Sequence, residues 1–392
     1  MDSARNPYVP GAGRPPGVLV GRDRPIGAWD TGLQRVEAGR TAQPLALYGL
    51  RGVGKTVLLT RLAKDAEDRQ WIVAQVEAGV GKSLRKALGE ALHGPLSNLA
   101  RPNAGKRLMQ ALKTAVSFKA SYDLAGTWNF GIDLSESAGG GANSGTLETD
   151  LTKLIRDLAD ATSDMGVGLA ILIDEAQDLT PDELTAICAT AHAAGQHGWR
   201  VNFALAGLPS LPRVLSEAKS YAERLFDFES VEQLEPATAL KALLEPARNE
   251  GVVWEESAAE FVIRETGGYP YFIQQFGQAT WGQASKSPIA LSDAQTGVAY
   301  GLSSLDAGFF RSRWDRATRT EQSYLRAMAT DGDAHSVARD IAARLGRNVQ
   351  GLGPARANLM SKGLIYSPEH GVVAFTVPGM AAFIKRQPDP SK

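Results

Sequence analysis

The stretch GLRGVGKT, residues 49–56, has the spacing G-x-x-x-x-G-K-[ST] of a phosphate-binding loop. It follows the apolar run QPLALYG, residues 43–49, which is typical of a buried strand. It precedes KTVLLTRLAKDAEDRQ, residues 55–70, which has helical spacing and contains neither glycine nor proline. This strand, loop and helix order is the context in which the pattern predicts a nucleotide site.

Each residue type in this loop has a chemical reason. The glycines allow backbone N–H groups to curl around phosphates, and the N-terminus of the following helix attracts the negative charge. Lys55 is expected to reach the β- and γ-phosphates, and the Thr56 hydroxyl to ligate Mg²⁺. We therefore predict ATP or ADP with Mg²⁺ as the ligand. The loop residues predicted to contact it are Gly49, Leu50, Arg51, Gly52, Val53, Gly54, Lys55, Thr56 and Val57.

A second stretch, EAGVGKSLRK (residues 77–86), repeats the ending of this loop. The position five residues before Gly81 is Val76 rather than glycine, and it lies within the predicted strand WIVAQVEA, residues 71–78. A loop beginning there could not wrap a phosphate as closely. We therefore interpret Lys82 and Ser83 as the start of an ordinary helix.

A third strand ends in acidic residues. LAILIDEAQDL, residues 169–179, places Asp174 and Glu175 at the carboxyl end of an apolar run, where ligands of open α/β sheets lie. Asp174 is predicted to hold Mg²⁺ opposite Thr56, and Glu175 to orient or deprotonate the attacking water. The alternative is that the two carboxylates are simply exposed to solvent and have no function. Their position after an apolar strand, in a chain that also has a phosphate loop, argues against this alternative.

The composition indicates an ordinary globular protein of two or three domains: 392 residues, 43% apolar and 22% charged, with a net charge of −1. This charge argues against wholesale electrostatic attraction to nucleic acid or an anionic membrane. The single cysteine, Cys188, suits a reducing compartment. The N-terminus has no signal-peptide pattern, and VGLAILI, residues 167–173, is too short to span a bilayer. We expect a soluble cytoplasmic protein with no membrane partner.

The predicted fold class is α/β, a P-loop NTPase core with a mainly parallel sheet, because strands alternate with helical segments. We expect a flexible N-terminal arm over residues 1–17, the core over 18–230, a helical lid over 231–304, a winged helix-turn-helix over 305–386 and a tail over 387–392. The last domain is inferred from three helical segments followed by LIYSPEHGVVAFTV, residues 364–377, which resembles two strands joined by a turn.

An insert between the second and third strands, about residues 117–146, alternates apolar and polar positions and is predicted to contain a β-hairpin and a Gly-rich loop. Its aromatic residues Trp128 and Phe130 would either pack on the core or protrude toward a partner, another subunit or nucleic acid.

These motifs resemble those of AAA+ and STAND-type P-loop ATPases, in particular the broad Orc-like class. VLVGRDRPIGAWDTGL, residues 18–33, is similar to the segment before the phosphate loop in the origin-initiator ATPases. There, apolar residues before a Gly-Arg pair touch adenine, so the resemblance implies that Leu19, Val20, Gly21 and Arg22 contact the nucleotide. TGGYPYFIQQFG, residues 266–277, is similar to a lid motif in which Gly-x-Pro approaches the base, which implies a contact by Pro270.

The sequence departs from this family at the sensor positions. The family usually carries a polar sensor at the end of the fourth strand, but here NFALAGLPSLP (residues 202–212) offers Ala206, Gly207 and Leu208, with Ser210 as a weak substitute. The lid motif has Tyr271 and Gln274 where a cation would lie, so we expect hydrolysis to be slow or dependent on a partner. Arg224 falls where family members carry an arginine finger, which stabilises transition-state charge, often across a subunit interface. The alternative is an ion pair between Arg224 and Glu223 or Asp227.

The proposed winged helix suggests duplex DNA as a partner. Its candidate recognition helix, GPARANLMSKG (residues 353–363), with the preceding basic residues, provides Arg347, Arg356, Asn358 and Lys362. Such domains also dock proteins or autoinhibit. We therefore expect an ATPase that acts as a slow switch controlling self-assembly or DNA engagement. The alternative is a STAND-like regulatory module with little turnover, whose C-terminal domain docks a protein or autoinhibits.

Overall fold

The computed structural model describes residues 1–99, 105–120 and 141–388. In the core, the strands are β1 Leu45–Tyr48, β2 Ile72–Glu77, β3 Leu169–Asp174, β4 Val201–Gly207 and β5 Asp227–Ser230. The core helices are α1 Asp23–Glu37, α2 Lys55–Asp68, α3 Leu84–Leu99, α4 Lys106–Ala120, α5 Leu147–Ser163, α6 Pro181–His197, α7 Leu211–Ala218 and α8 Ala222–Leu225.

Among the described residues, five parallel strands form the core sheet in the order β2-β3-β4-β1-β5. Strands β3 and β4 are buried along their whole length, which is why they appear in the sequence as continuous apolar runs rather than as alternating ones. The carboxyl ends of β1 and β3 lie at the same edge of the sheet, with β4 between them. The phosphate loop and the acidic pair therefore meet at that edge, and the predicted fold class is confirmed.

The lid is built from α9 Pro236–Asn249, α10 Glu256–Thr266, α11 Pro270–Gln283 and α12 Leu291–Ser304. A π-helical turn, Leu305–Phe310, leads from α12 into α13 Arg311–Trp314. This turn carries the chain from the lid to the C-terminal domain, and it places Phe309 and Arg313 beside the cavity described below.

The first nine residues of the N-terminal arm pack against the lid, a set of contacts that the prediction of a flexible arm did not include. Tyr8 is 1% exposed, and its ring packs edge-on against Trp254 and Trp281. Its hydroxyl donates to the Leu243 carbonyl at 2.6 Å. The Pro- and Gly-rich composition was misleading because the partners of the arm lie more than 230 residues away in sequence.

The C-terminal domain contains α14 Arg319–Ala329, α15 Ala338–Arg344, α16 Gly353–Ser361 and α17 Met380–Lys385. In the part of the chain that is described, β6 Ser336–Val337, β8 Val372–Phe375 and β7 Ile365–Tyr366 form a small antiparallel sheet in that order. The helices and strand pair predicted from the sequence are therefore present, and their interpretation as a winged helix stays a prediction.

The start of the predicted hairpin, at about residue 117, lies within helix α4. Ser117 to Ala120 are the last turn of α4, and Phe118, an apolar residue at the start of the predicted alternation, is fully buried on this helix and does not belong to a strand. The remaining hairpin positions, including Trp128 and Phe130, lie outside the described residues. No helix in the described ranges is long and apolar enough to cross a membrane.

Candidate nucleotide site

The phosphate loop has the backbone that its glycines predict. Gly52 and Gly54 adopt left-handed conformations with φ of 90° and 94°, which only glycine takes readily. Gly54 immediately precedes α2, whose first residue is Lys55. The Lys55 ammonium is folded back onto its own loop, donating to the Gly49 and Leu50 carbonyls at 2.8 Å each. A phosphate in the loop would offer this ammonium stronger, charged acceptors.

Burial lowers the pKa of Lys55 to about 8, and the carboxylates of Glu175 and Asp174 only partly oppose that effect. The cause is desolvation, since the lysine is 6% exposed. A polyphosphate bound in the loop would stabilise the charged form. The affinity of the site for anions is therefore tied to the protonation of Lys55.

Thr56 and Asp174 form the pair predicted for magnesium. The Thr56 hydroxyl donates to Asp174 Oδ2 at 2.6 Å, and burial raises the pKa of the Asp174 carboxyl. The two oxygens are hard ligands held side by side at the edge of the sheet. These two residues would hold a divalent cation, whose charge would favour the ionised form of Asp174 and so oppose the effect of burial.

Glu175 is held by three contacts. Its backbone is left-handed, with φ of 51° and ψ of 36°, and its N–H donates to Asp174 Oδ1 at 2.8 Å. Arg51 binds the carboxylate at 2.8 Å through Oε1, and Gln177 donates to Oε2 at 2.7 Å. A strained non-glycine residue at this position is typical of a functional site. The carboxylate that would activate water is thus already occupied by Arg51 and Gln177, a contact that the sequence did not reveal.

These groups open into a cavity of about 380 Å³ between core, lid and N-terminal arm. The chain lines it with Val9 to Arg14, Pro16, Val18 to Val20, Arg22, Arg51 to Val57, Glu175, Leu234, Ala242, Pro270, Tyr271, Gln274, Phe309 and Arg313. The cavity is lined by cationic side chains, which suit a polyphosphate. One of them, Arg51, has a buried Nε with no hydrogen-bond partner among the described residues, and this nitrogen is available to a ligand. The apolar end of the cavity suits a base. The residues present therefore fit ATP with Mg²⁺.

Most predicted contact residues line this cavity, but Gly49, Leu50 and Gly21 do not. A side chain on Gly49 would collide with the Val231 carbonyl, 2.1 Å from the position of its Cβ. A side chain on Gly21 would collide with Thr238 of α9. Leu50 packs toward the C-terminal domain instead. These three residues shape the site without lining it.

Arg22 lines the cavity, yet its guanidinium binds the protein rather than projecting freely at a base. It donates to the Val53 carbonyl at 2.9 Å and to the Glu232 carbonyl at 2.7 Å. Burial lowers the pKa of this arginine. Arg22 therefore ties the phosphate loop to the start of the lid.

The lid is closed on the phosphate loop. The Tyr271 N–H donates to the Gly52 carbonyl at 3.2 Å, and Pro270 lines the cavity beside it. Arg313 also enters the cavity, with its guanidinium 3.8 Å from the centre of the Phe309 ring. Burial lowers the pKa of Arg313 to about 10, and Arg316 and Arg51 add to this shift. The lid motif lacks a cation, and Arg313, from beyond the lid, brings one to the cavity.

The C-terminal domain rests directly on the phosphate loop. The Arg51 N–H donates to the Thr376 carbonyl at 2.9 Å. Leu208, at the sensor position after β4, packs with Leu50 of the loop against Tyr366 and Ala374. Leu208 also donates its N–H to Gln177, which holds Glu175. The apolar character of Leu208 is therefore explained by its packing against the C-terminal domain.

Arg224 lies away from this cavity. It is an exposed residue of α8, at the edge where β1 and β5 begin, because Asp227 pairs with Leu45. The nucleotide loop follows the opposite end of β1. Within the described chain Arg224 makes no ion pair with Glu223 or Asp227, so that alternative is not observed. Its side chain therefore does not line the nucleotide cavity of its own chain.

The four residues proposed for DNA contact differ in availability. Lys362 is paired with Glu321 at 2.6 Å, and Arg356 donates to the Ser367 hydroxyl at 3.0 Å. Arg347 and Asn358 are exposed. The pairing reduces the basic surface that the sequence suggested.

This fold and site define a P-loop ATPase of the AAA+ class. Residues 18–203 match the family model described as "AAA ATPase domain". This match supports ATP binding and ATPase activity, and the predicted resemblance to AAA+ P-loop ATPases is confirmed. Residues 307–384 match a domain of unknown function, DUF8462. No curated protein matches the chain.

The chain is similar to several solved structures. The Walker-type ATPase PABY2304 of Pyrococcus abyssi is 17% identical, with 94% of this chain and 96% of that chain covered and a TM-score of 0.57. The Cdc6p protein of Pyrobaculum aerophilum is 13% identical over 98% and 97% of the two chains, with a TM-score of 0.45. The Orc1 protein of Aeropyrum pernix, solved in complex with DNA, is 15% identical over 98% and 96%, with a TM-score of 0.46.

Proposed function

We propose that the chain is an ATP-controlled switch that hydrolyses ATP slowly while its C-terminal domain rests on the phosphate loop. The observation that carries this proposal is the double engagement of Arg51. Its side chain binds Glu175, and its backbone N–H binds Thr376 of the C-terminal domain. The residue that would activate water is thus coupled to the position of the C-terminal domain.

The site residues have distinct roles in this proposal. Bound ATP with Mg²⁺ supplies the γ-phosphate as the electrophile. Lys55 would exchange the loop carbonyls for phosphate oxygens, while Thr56 and Asp174 would hold the magnesium ion. Glu175 must leave Arg51 before it can accept a proton from water, since the pair occupies one of its oxygens. Arg313, which also lines the cavity, would contribute positive charge.

Release of the C-terminal domain would both activate hydrolysis and expose that domain to a partner. Duplex DNA is the partner that we propose, with Arg347 and Asn358 as the available contacts and Arg356 and Lys362 joining if their internal bonds open. Self-assembly would supply Arg224 to the site of a neighbouring copy. A chain that holds ADP with no turnover, and whose C-terminal domain docks a protein, is the second candidate; the occupied Glu175 favours it.

The test is steady-state ATP hydrolysis by the full chain with and without duplex DNA. We expect slow basal turnover that DNA increases, and its loss in both Lys55→Ala and Glu175→Gln. Lys82→Ala is the matched control, because this lysine lies in the similar GVGKS loop yet does not line the cavity. Turnover that persists in Glu175→Gln would contradict the assignment. Tight ADP with no turnover in any condition would establish the second candidate.

A further inference from the structure

The N-terminal arm forms one wall of the nucleotide cavity. Residues 9–14 line it together with the phosphate loop. A Cβ added at Gly13 would lie 3.4 Å from the Thr56 side chain, so the arm passes over the start of α2, where phosphate and magnesium would lie. Neither the phosphate-loop pattern nor the matched family model, which begins at residue 18, includes this segment.

The arm is attached to the lid by a series of hydrogen bonds. The Val9 N–H donates to Gln274 Oε1 at 3.1 Å, and the Asn6 side-chain amide donates to the Gln278 carbonyl at 3.0 Å. Both partners lie on α11, whose residues Pro270, Tyr271 and Gln274 also line the cavity. The arm and the lid helix are thus joined beside the site.

Tyr8 makes the most extensive contacts between the arm and the lid and is called the Tyr8 anchor below. Besides donating to Leu243, its hydroxyl accepts from Trp254 Nε1 at 3.2 Å. The ring lies so close to α11 that a Cβ on Gly277 would approach it to 2.7 Å. A glycine in the middle of a helix lowers helix stability, and here it makes room for the anchor. The arm is therefore attached by specific contacts between distant parts of the chain.

Arg14 gives the arm a charge suited to phosphate. It lines the cavity next to Gly13, is exposed, and makes no ion pair within the described part of the chain. Its side chain lies over Gly11, where a Cβ would come within 2.8 Å of Arg14 Cδ. An unpaired guanidinium beside the phosphate end of a site is a ready anion contact.

We propose that the N-terminal arm is part of the nucleotide-binding site: it covers the phosphate end of a bound nucleoside di- or triphosphate, contacts it through Arg14, and must detach from the lid before the nucleotide leaves. This rests on the proposed nucleotide-binding function and deepens it. Nucleotide exchange is then limited by release of the Tyr8 anchor, and a partner that binds the arm would act as an exchange factor.

The test uses dissociation of fluorescent mant-ADP from the full chain, chased with unlabelled ADP. Tyr8→Phe keeps the ring packing and removes the hydroxyl, which leaves the buried Leu243 carbonyl without that donor. We expect release about tenfold faster than from the wild type. Tyr300→Phe is the matched control, since Tyr300 is an exposed tyrosine of the lid helix α12, and it should release ADP at the wild-type rate.

Two further measurements complete the test. Arg14→Gln should weaken ADP affinity several-fold, and bound ADP should slow amide hydrogen exchange in residues 9–14 of the wild type. Wild-type release from Tyr8→Phe, together with unchanged exchange in residues 9–14, would overturn the inference while leaving nucleotide binding intact. A wild-type chain that binds no ADP would overturn the proposed function itself.

Discussion

Replacing Arg51 with glutamine should increase ATP turnover, although Arg51 belongs to the phosphate loop. The change removes the ion pair with Glu175 and leaves the backbone N–H that binds Thr376 in place. The C-terminal domain should therefore remain docked while Glu175 is freed. In most phosphate loops, loss of a cation that lines the site would be expected to reduce activity, so the direction of the effect is informative.

The magnitude follows from the environment of the pair. The Arg51 and Glu175 side chains are 29% and 20% exposed and 2.8 Å apart. Exposed pairs contribute up to about 1 kcal/mol, and buried ones are harder to break, so we take about 1–2 kcal/mol for this partly buried pair. If the pair must open before each turnover, its removal should increase kcat by about 5- to 30-fold. Gln177 still holds the other carboxylate oxygen, which favours the lower part of that range.

The assay is phosphate release at saturating ATP, so that any loss of nucleotide affinity does not obscure kcat. Arg61→Gln is the matched control, because Arg61 is an exposed arginine of α2 paired with Asp65 at 2.7 Å, outside the cavity. The double variant Arg51→Gln/Glu175→Gln should be inactive, which shows that the gain acts through Glu175. An unchanged or reduced kcat in Arg51→Gln would refute the restraining role of the pair.

Three other predictions test the remaining parts of the site. Leu208→Ser removes an apolar contact with Tyr366 and should loosen the C-terminal domain, seen as a larger radius in small-angle scattering; an unchanged radius would count against docking at this position. Arg224→Ala should keep ATP binding and lose only the turnover that depends on assembly, measured as the concentration dependence of kcat; a lower rate at every concentration would rule out action in trans. Burial lowers the pKa of Lys55 to about 8, so the charged form is lost as pH rises through that value, and ATP affinity should weaken about tenfold per pH unit well above 8. Lys55→Ala should show no such dependence on pH. Binding by the wild type that stays constant to pH 10 would contradict this prediction.

The local parts of the site were predictable from sequence because their signals are local. The loop around Lys55 and the strand ending at Asp174 and Glu175 each combine a short motif with the apolar run that positions it. Parallel pairing then brings their carboxyl ends to one edge of the sheet. No long-range information was needed beyond the topology of an α/β fold.

The contacts of the N-terminal arm and of Leu208 were not predictable, because they join distant segments of the chain and leave no periodic pattern in the sequence. Tyr8 lies between Trp254 and Trp281, which are separated from it by more than 240 residues. Leu208 was interpreted, together with Ala206 and Gly207, as lacking the usual polar sensor, and in the structure it packs against Tyr366. In both cases one side chain is explained by a partner that only the tertiary fold brings near.

The most direct test of the central claim is a double-mutant cycle on turnover with Leu208→Ser, Arg51→Gln and the two changes combined. If the docked domain restrains hydrolysis through Arg51 and Glu175, each single variant should be faster than the wild type, and the double variant no faster than Arg51→Gln alone. Rates that multiply in the double variant, or a Leu208→Ser chain that undocks without any gain in turnover, would contradict the account.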